Sequence, residues 1–198
     1  MIVTSVIKYK GSTFEITLDS QDRVYLNSET VCKFGISNGV SISEERLNQV
    51  VYYDTVRKAK ERALYLLDYK DYSYQELYNK LEVHYPQEVC FEVLSKLTKL
   101  GLIDDTKYAK RLAEKLILTK KYGLYRAVRE MTLKGIDKQL AEEIASNYED
   151  TQIDRVQELL NSKYSRYLNT NDSKDIVKVK NALVRMGYSY DVINQVLD

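Results

Sequence analysis

The sequence has almost none of the residues that interrupt helices: one proline, Pro86, and seven glycines in 198 residues. Such scarcity excludes long loops and a strand-and-turn architecture over most of the chain. There is one histidine, His84, and only two cysteines, Cys32 and Cys90, far apart and without a CxxC spacing. No ligand set for a structural zinc exists, and a reducing, cytoplasmic compartment is expected. No run of about 18 apolar residues and no signal-peptide pattern is present, so a soluble, unexported protein without a membrane contact is expected. Tryptophan is absent and phenylalanine occurs three times, against 18 tyrosines. Amphipathic packing with hydrated hydroxyls accounts for the tyrosines better than base stacking does.

The familiar catalytic patterns are missing too. There is no Gly-rich phosphate loop, no GxSxG, no HExxH and no carboxylate pair beside a histidine. His84 precedes Tyr85-Pro86 and reads as a solvated turn residue. Asp104-Asp105 stands at a helix start, where capping and dipole complementarity explain both carboxylates without a metal. Cys32 and Cys90 have apolar neighbours and read as small core residues. No catalytic residue, metal or cofactor is expected, and the chain is not read as an enzyme.

What the chain has is helical periodicity. A β-rich leader comes first: Ile2–Lys8, Thr13–Leu18 and Arg23–Leu26 alternate or are β-branched, with turns at Gly11-Ser12 and Asp19–Asp22. Three short antiparallel strands need a helix to cover them. Ser28 is placed to cap a short helix ending at Gly35. Ser43 caps one that leads toward Tyr69, with a possible break near Asp54. From Thr55 on, all is helix. One stripe carries Val56, Ala59, Ala63, Leu64 and Leu67. A capping box, Ser73-Tyr74-Gln75-Glu76, starts the next helix, with Leu77 and Leu81 inward. A third, opened by Pro86, turns Val89, Cys90, Val93, Leu94 and Leu97 inward. Gly101 stops it.

This triplet recurs. A long helix over Asp105–Tyr122, a shorter one over Leu124–Lys134 and a third capped by Asp137 form the second copy, and Asp150 begins another. Placing Gly135 on Gly187 superposes Leu124 on Ile176, Ala127 on Val179, Met131 on Leu183, Ile136 on Tyr188 and Ile144 on Val196. In the first copy the corresponding turn, Val83-His84-Tyr85, lacks the glycine. The organisation expected is a β-rich segment over 1–54 and three-helix repeats over 55–104, 105–148 and 149–198. The fold class is mainly α, tandem three-helix repeats in an elongated curved array preceded by a small three-stranded antiparallel β segment. Asn169–Lys174 is the expected mobile loop.

Charge is unevenly spread. The net charge is +1, yet nine basic side chains and only two acidic ones, Glu114 and Glu130, lie between Lys107 and Lys134. A solubilising surface would carry both signs interspersed. This density instead attracts a polyanion or an acidic protein face. The candidate partner- or DNA-binding residues are therefore Lys107, Lys110, Arg111, Lys115, Lys120, Lys121, Arg126 and Arg129. A helical module for single-stranded DNA, with Tyr122 or Tyr125 stacking on bases, is an alternative. A helical scaffold with a merely solvated basic face is another.

Gly101-Leu102-Ile103-Asp104-Asp105, followed by Tyr108-Ala109, resembles the signature of the bacterial RecX family, Gly-Leu-hydrophobic-Asp-Asp-x-x-aromatic-Ala. Ala63-Leu64-x-x-Leu67 with Ser73-x-x-Glu76-Leu77-x-x-Lys80-Leu81 is similar to its first repeat. Gly123, Arg129, Glu130, Met131, Lys134, Gly135 and Ile136 are similar to its second. The resemblance covers roughly Thr55 to Asp198, and the leader is similar to that of longer, Gram-positive-type members. It implies a non-enzymatic modulator of the RecA recombinase, and a monomer is expected. Such proteins lie in the groove of the RecA filament on DNA, beside the DNA backbone, and inhibit strand exchange, ATP turnover and co-protease activity. A role in DNA repair, recombination and the SOS response follows.

Overall fold

The computed structural model describes residues 1–168 and 173–197, which divide into two compact units. The first unit comprises Met1–Lys70 and Leu77–Leu102. It opens with β1 (Val3–Lys10), β2 (Thr13–Leu18) and β3 (Arg23–Asn27), an antiparallel sheet in the order β1-β2-β3. Period-two alternation puts Phe14, Ile16 and Leu18 on one face, with Leu26 opposite Phe14 and Val24 opposite Ile16. That face is covered by Ile36 and Ile42 and by two helices, α1 (Ser28–Phe34) and α2 (Glu44–Tyr69), as the sequence requires. The α1 N-cap is Asn27 rather than Ser28: its side chain accepts from the Glu29 amide at 2.9 Å. Cys32, expected in the core, is exposed on this short helix, whereas Cys90 is buried.

Helix α2 runs unbroken through Asp54, contrary to the break expected there. The carboxylate is instead a tie. It lies buried and accepts from the Asn27 amide at 3.1 Å and the Thr30 hydroxyl at 2.6 Å, and Lys58 pairs with it at 2.7 Å. Burial alone would raise its pKa. The bonds from Lys58, Thr30 and Asn27, with the Lys58 charge, outweigh burial and hold it below the usual carboxylate value. A lowered folded-state pKa stabilises the fold fully above the unfolded pKa, and the gain is lost as pH falls through the folded one. Asp54→Ala is therefore expected to cost about 3 kcal/mol at neutral pH, because it strands buried donors and a cation. Urea unfolding should show the gap between variant and parent closing in acid.

The inward face of α2 uses Leu66 where Leu64 was expected; Leu64 is 37% exposed. Helices α3 (Tyr74–Leu81) and α4 (Gln87–Lys99) bury all seven expected apolar residues: Leu77 and Leu81, then Val89, Cys90, Val93, Leu94 and Leu97. His84 is exposed in the turn between them.

The second unit comprises Asp71–Glu76 and the chain from Ile103 on. It contains α5 (Asp105–Glu114), α6 (Leu124–Leu133), α7 (Lys138–Ser146), α8 (Gln152–Ser162), α9 (Ser165–Leu168), α10 (Ser173–Arg185) and α11 (Tyr190–Leu197). A π-helical turn, Lys115–Thr119, ends the helix expected to reach Tyr122. Its wider winding buries the adjacent Leu116 and Ile117 together. The short α9 has no counterpart in the sequence pattern. Of the expected mobile loop, Ser173 and Lys174 begin α10, and Asn169–Asp172 lie outside the described residues.

The 52-residue register holds in the packing: Ala127 and Val179, Met131 and Leu183, and Ile136 and Tyr188 are all buried. The two equivalent glycines each receive the start of an earlier helix. Gly135 lies against Gln75, one residue into α3, and a Cβ there would stand 2.6 Å from the Gln75 Cβ. Gly187 lies against Arg126 of α6, 2.4 Å from its Cβ by the same construction. At this second junction the Gly123 amide donates to the Met186 carbonyl at 2.8 Å, and the Tyr125 amide to the Gly187 carbonyl at 3.2 Å. Carbonyls of one triplet thus cap the helix of another, in place of a side-chain cap.

Candidate partner-binding face

The signature stretch positions α5. Gly101 adopts φ +71 and closes α4, Ile103 is buried, and Asp104 caps α5 by accepting from the Lys107 amide at 2.9 Å. The Asp105 carboxylate turns elsewhere and accepts from the Tyr74 amide at 2.8 Å. Burial raises its pKa, against the effect of that bond. The Asp71–Glu76 strap is fixed to the same unit by further polar links. Ser73 accepts from the Glu76 amide and donates to the Lys134 carbonyl at 2.5 Å. Glu76 takes bonds from Tyr108 at 3.1 Å and Lys134 at 3.0 Å. Burial, with the Glu76 carboxylate beside it, pushes the Tyr108 phenol up to about 12. The paired aspartates are therefore architectural, and among the described residues no cluster of potential metal ligands occurs.

Tyr108, Ala109, Leu112, Ala113 and Leu116 face the core of the second triplet. The opposite side of α5 presents Lys107, Lys110 and Arg111, continued by Lys115 at the first position of the π turn, all four exposed. Residues three and four apart are neighbours on a helix, so these four make one continuous cationic strip. Arg111 pairs with Asp71 at 2.6 Å, with both side chains about half exposed. Such an exposed pair is worth roughly 1 kcal/mol or less and yields readily to a stronger partner. Lys107, Lys110 and Lys115 form no ion pair among the described residues. Glu114 is the one acid set among them.

The other four candidates go elsewhere. Lys121 is bound into the junction with the third triplet. Its backbone is left-handed at φ +55, its carbonyl accepts from the Tyr188 hydroxyl at 2.9 Å, and its ammonium pairs with Glu158 at 2.7 Å. Arg126 stacks 4.0 Å from the Tyr122 ring centroid, donates to the Arg185 carbonyl at 3.3 Å and pairs with Glu130 at 3.6 Å. Lys120 lies 5.6 Å from the same ring and forms no ion pair among the described residues. Arg129 lines a separate groove on α6 and α7, beside Tyr125. Tyr122, a candidate for stacking on a base, packs on the core with its ring taken by these cations.

Periodicity alone did not indicate the strap of Asp71–Glu76, because its partners lie some 30 to 60 residues away. The capping box at Ser73 was the one local signal.

A mainly helical chain of successive three-helix units, preceded in sequence by a three-stranded sheet and carrying a basic strip on α5, defines a tandem three-helix-domain protein. Residues 59–97 match the family model for "RecX, first three-helix domain", and residues 150–197 match that for "RecX, third three-helix domain". The regulatory protein RecX of Streptococcus sanguinis is 30% identical over 192 residues, which span 96% of this chain and 73% of that one. A crystal structure of RecX from Lactobacillus salivarius is 26% identical, with a TM-score of 0.68 over 73% of this chain and 96% of its own. Another crystal structure, of regulatory protein RecX, shares the fold at TM-score 0.74 and 22% identity, over 100% of this chain and 98% of that one. The chain belongs to the RecX family.

Proposed function

We propose that this chain is a non-enzymatic regulator that binds the groove of the RecA–DNA filament. It inhibits recombinase, ATPase and co-protease activity there, and so modulates DNA repair and recombination. The observation that carries the reading is the strip of Lys107, Lys110 and Lys115 on α5. Their charges are exposed and without acidic partners among the described residues, in a member of the RecX family. A filament groove combines acidic protein surface with DNA phosphates, and a cationic strip gains from both. Arg111 joins the strip by giving up Asp71.

Action on bare single-stranded DNA is the less supported alternative. Tyr122 is occupied by Arg126 and Lys120, and Tyr125 stands in a groove that also holds carboxylates. The test is DNA-dependent ATP hydrolysis by RecA, with the full chain added up to stoichiometric amounts at several salt concentrations. Progressive inhibition that weakens as salt rises is expected. Unchanged hydrolysis at every salt concentration would remove the proposal.

A further inference from the structure

The second unit carries a groove that the cationic strip does not use. It has a volume of about 820 Å³ and is walled by α6 and α7, the start of α8 and the start of α11. Its apolar surface comes from Tyr125, Val128 and Leu133 of α6, with Val192 of α11 opposite. Tyr125 is 72% exposed and Leu133 70%. Neither belongs to the inward stripe of α6, Ala127 and Met131, so packing within the chain does not explain them. From Tyr125 to Leu133 the groove follows about 12 Å of helix, the length of two helical turns.

Two further features point to an occupant. Gln152 is only 8% exposed, lines the groove and forms no side-chain hydrogen bond among the described residues. Its amide is a donor and acceptor at the groove surface, open to a polar backbone or side chain. Charge is the second feature. Glu149 and Asp191, unpaired among the described residues, lie at the end of Tyr125 and Gln152. Arg129 stands midway along α6, and Lys138, five residues beyond Leu133, shares its charge with Glu142 at 3.6 Å. The carboxylates repel a phosphate backbone, which disfavours nucleic acid. They favour the positive N-terminal end of a helix.

We infer that this groove receives a two-turn amphipathic helix of a protein partner, with its N-terminus toward Glu149 and Asp191 and apolar side chains on Tyr125, Val128 and Leu133. Resting on the RecA reading above, the helix belongs to a RecA protomer of the filament. The contact works alongside the cationic strip and, being mainly apolar, depends on salt less steeply than the strip does. Arg129 is thereby assigned to protein recognition instead of to DNA.

A photo-crosslinking amino acid, p-benzoylphenylalanine, placed at Leu133 of the full chain tests this, with a second chain carrying it at exposed Thr106 on α5. Each is irradiated with RecA filaments on single-stranded DNA. The expected result is a crosslink from position 133 to one contiguous helical peptide of RecA. Crosslinking from 133 to DNA, or none from 133 while position 106 reacts, would overturn the groove assignment and leave the filament reading intact. No reaction from either position, with no co-sedimentation, would overturn both. The variant Tyr125→Ala/Leu133→Ala changes only exposed side chains and should keep the fold. It is expected to bind filaments at least about tenfold more weakly at low and high salt alike; undiminished binding would also overturn the assignment.

Discussion

Inhibition of RecA ATP hydrolysis is expected to be lost when Lys107, Lys110 and Lys115 are all changed to glutamate, with affinity for the filament falling by about 100-fold or more near 0.1 M salt. Three attractive charges become three repulsive ones on a strip where only Glu114 opposes them. The side chains are exposed, so the fold should lose no more than about 0.5 kcal/mol per change. Arg111→Ala serves as a graded control. Its guanidinium already shares its charge with Asp71, so a smaller loss is expected. Lys121→Ala should act differently again, by loosening the pairing with Glu158 without removing a free surface charge. Titration of each variant in the ATPase assay separates these cases.

The second large effect concerns the joint between triplets. A Cβ on Gly123 would fall 2.3 Å from the Gly187 carbonyl carbon, and one on Gly187 would fall 2.4 Å from the Arg126 amide nitrogen, where φ is +92. In both places backbone meets backbone and neither side can yield, so the Gly123 and Met186 hydrogen bond must break. Gly123→Ala or Gly187→Ala should each cost about 3–5 kcal/mol, lowering Tm by roughly 6–20 °C for a chain of this size. Hydrogen exchange should show α10 and α11 losing protection first. Gly101→Ala is the informative contrast. Its φ is +71 but nothing lies within 4 Å of the added Cβ, so only the left-handed strain of about 1 kcal/mol is expected.

Most of this architecture was legible in the chain because it rests on local periodicity. The strands of the leader, the Ser43 cap and the inward faces of α3 and α4 follow from residues a few positions apart, and the 52-residue register between Gly135 and Gly187 from comparing two such local patterns. The failures have a common cause. The π turn after Glu114 rotates the end of the helix without any proline or glycine to announce it. Asp54 looks like a helix breaker in sequence, and Lys58 on its own helix, with Asn27 and Thr30 packed beside it from far along the chain, makes a buried carboxylate stable there.

The basic cluster illustrates the same limit. Spacing by three and four gathers Lys107, Lys110, Arg111 and Lys115 along α5 and the residue that follows it, and all four are exposed. It cannot foresee that Glu158 would claim Lys121, that Tyr122 and Glu130 would hold Arg126, or that Arg129 would face another groove. Those partners arrive through the folding of α6 and α8 and leave no trace in local composition.

Whether the α5 strip carries binding is decided by salt dependence, measured by co-sedimentation of the parent chain and the triple lysine variant with RecA filaments on single-stranded DNA from about 50 to about 300 mM salt. The parent is predicted to lose affinity steeply as salt rises, whereas the variant binds weakly with a slope shallower by about three. Equal affinities and parallel slopes for the two proteins would show that the strip plays no part in binding.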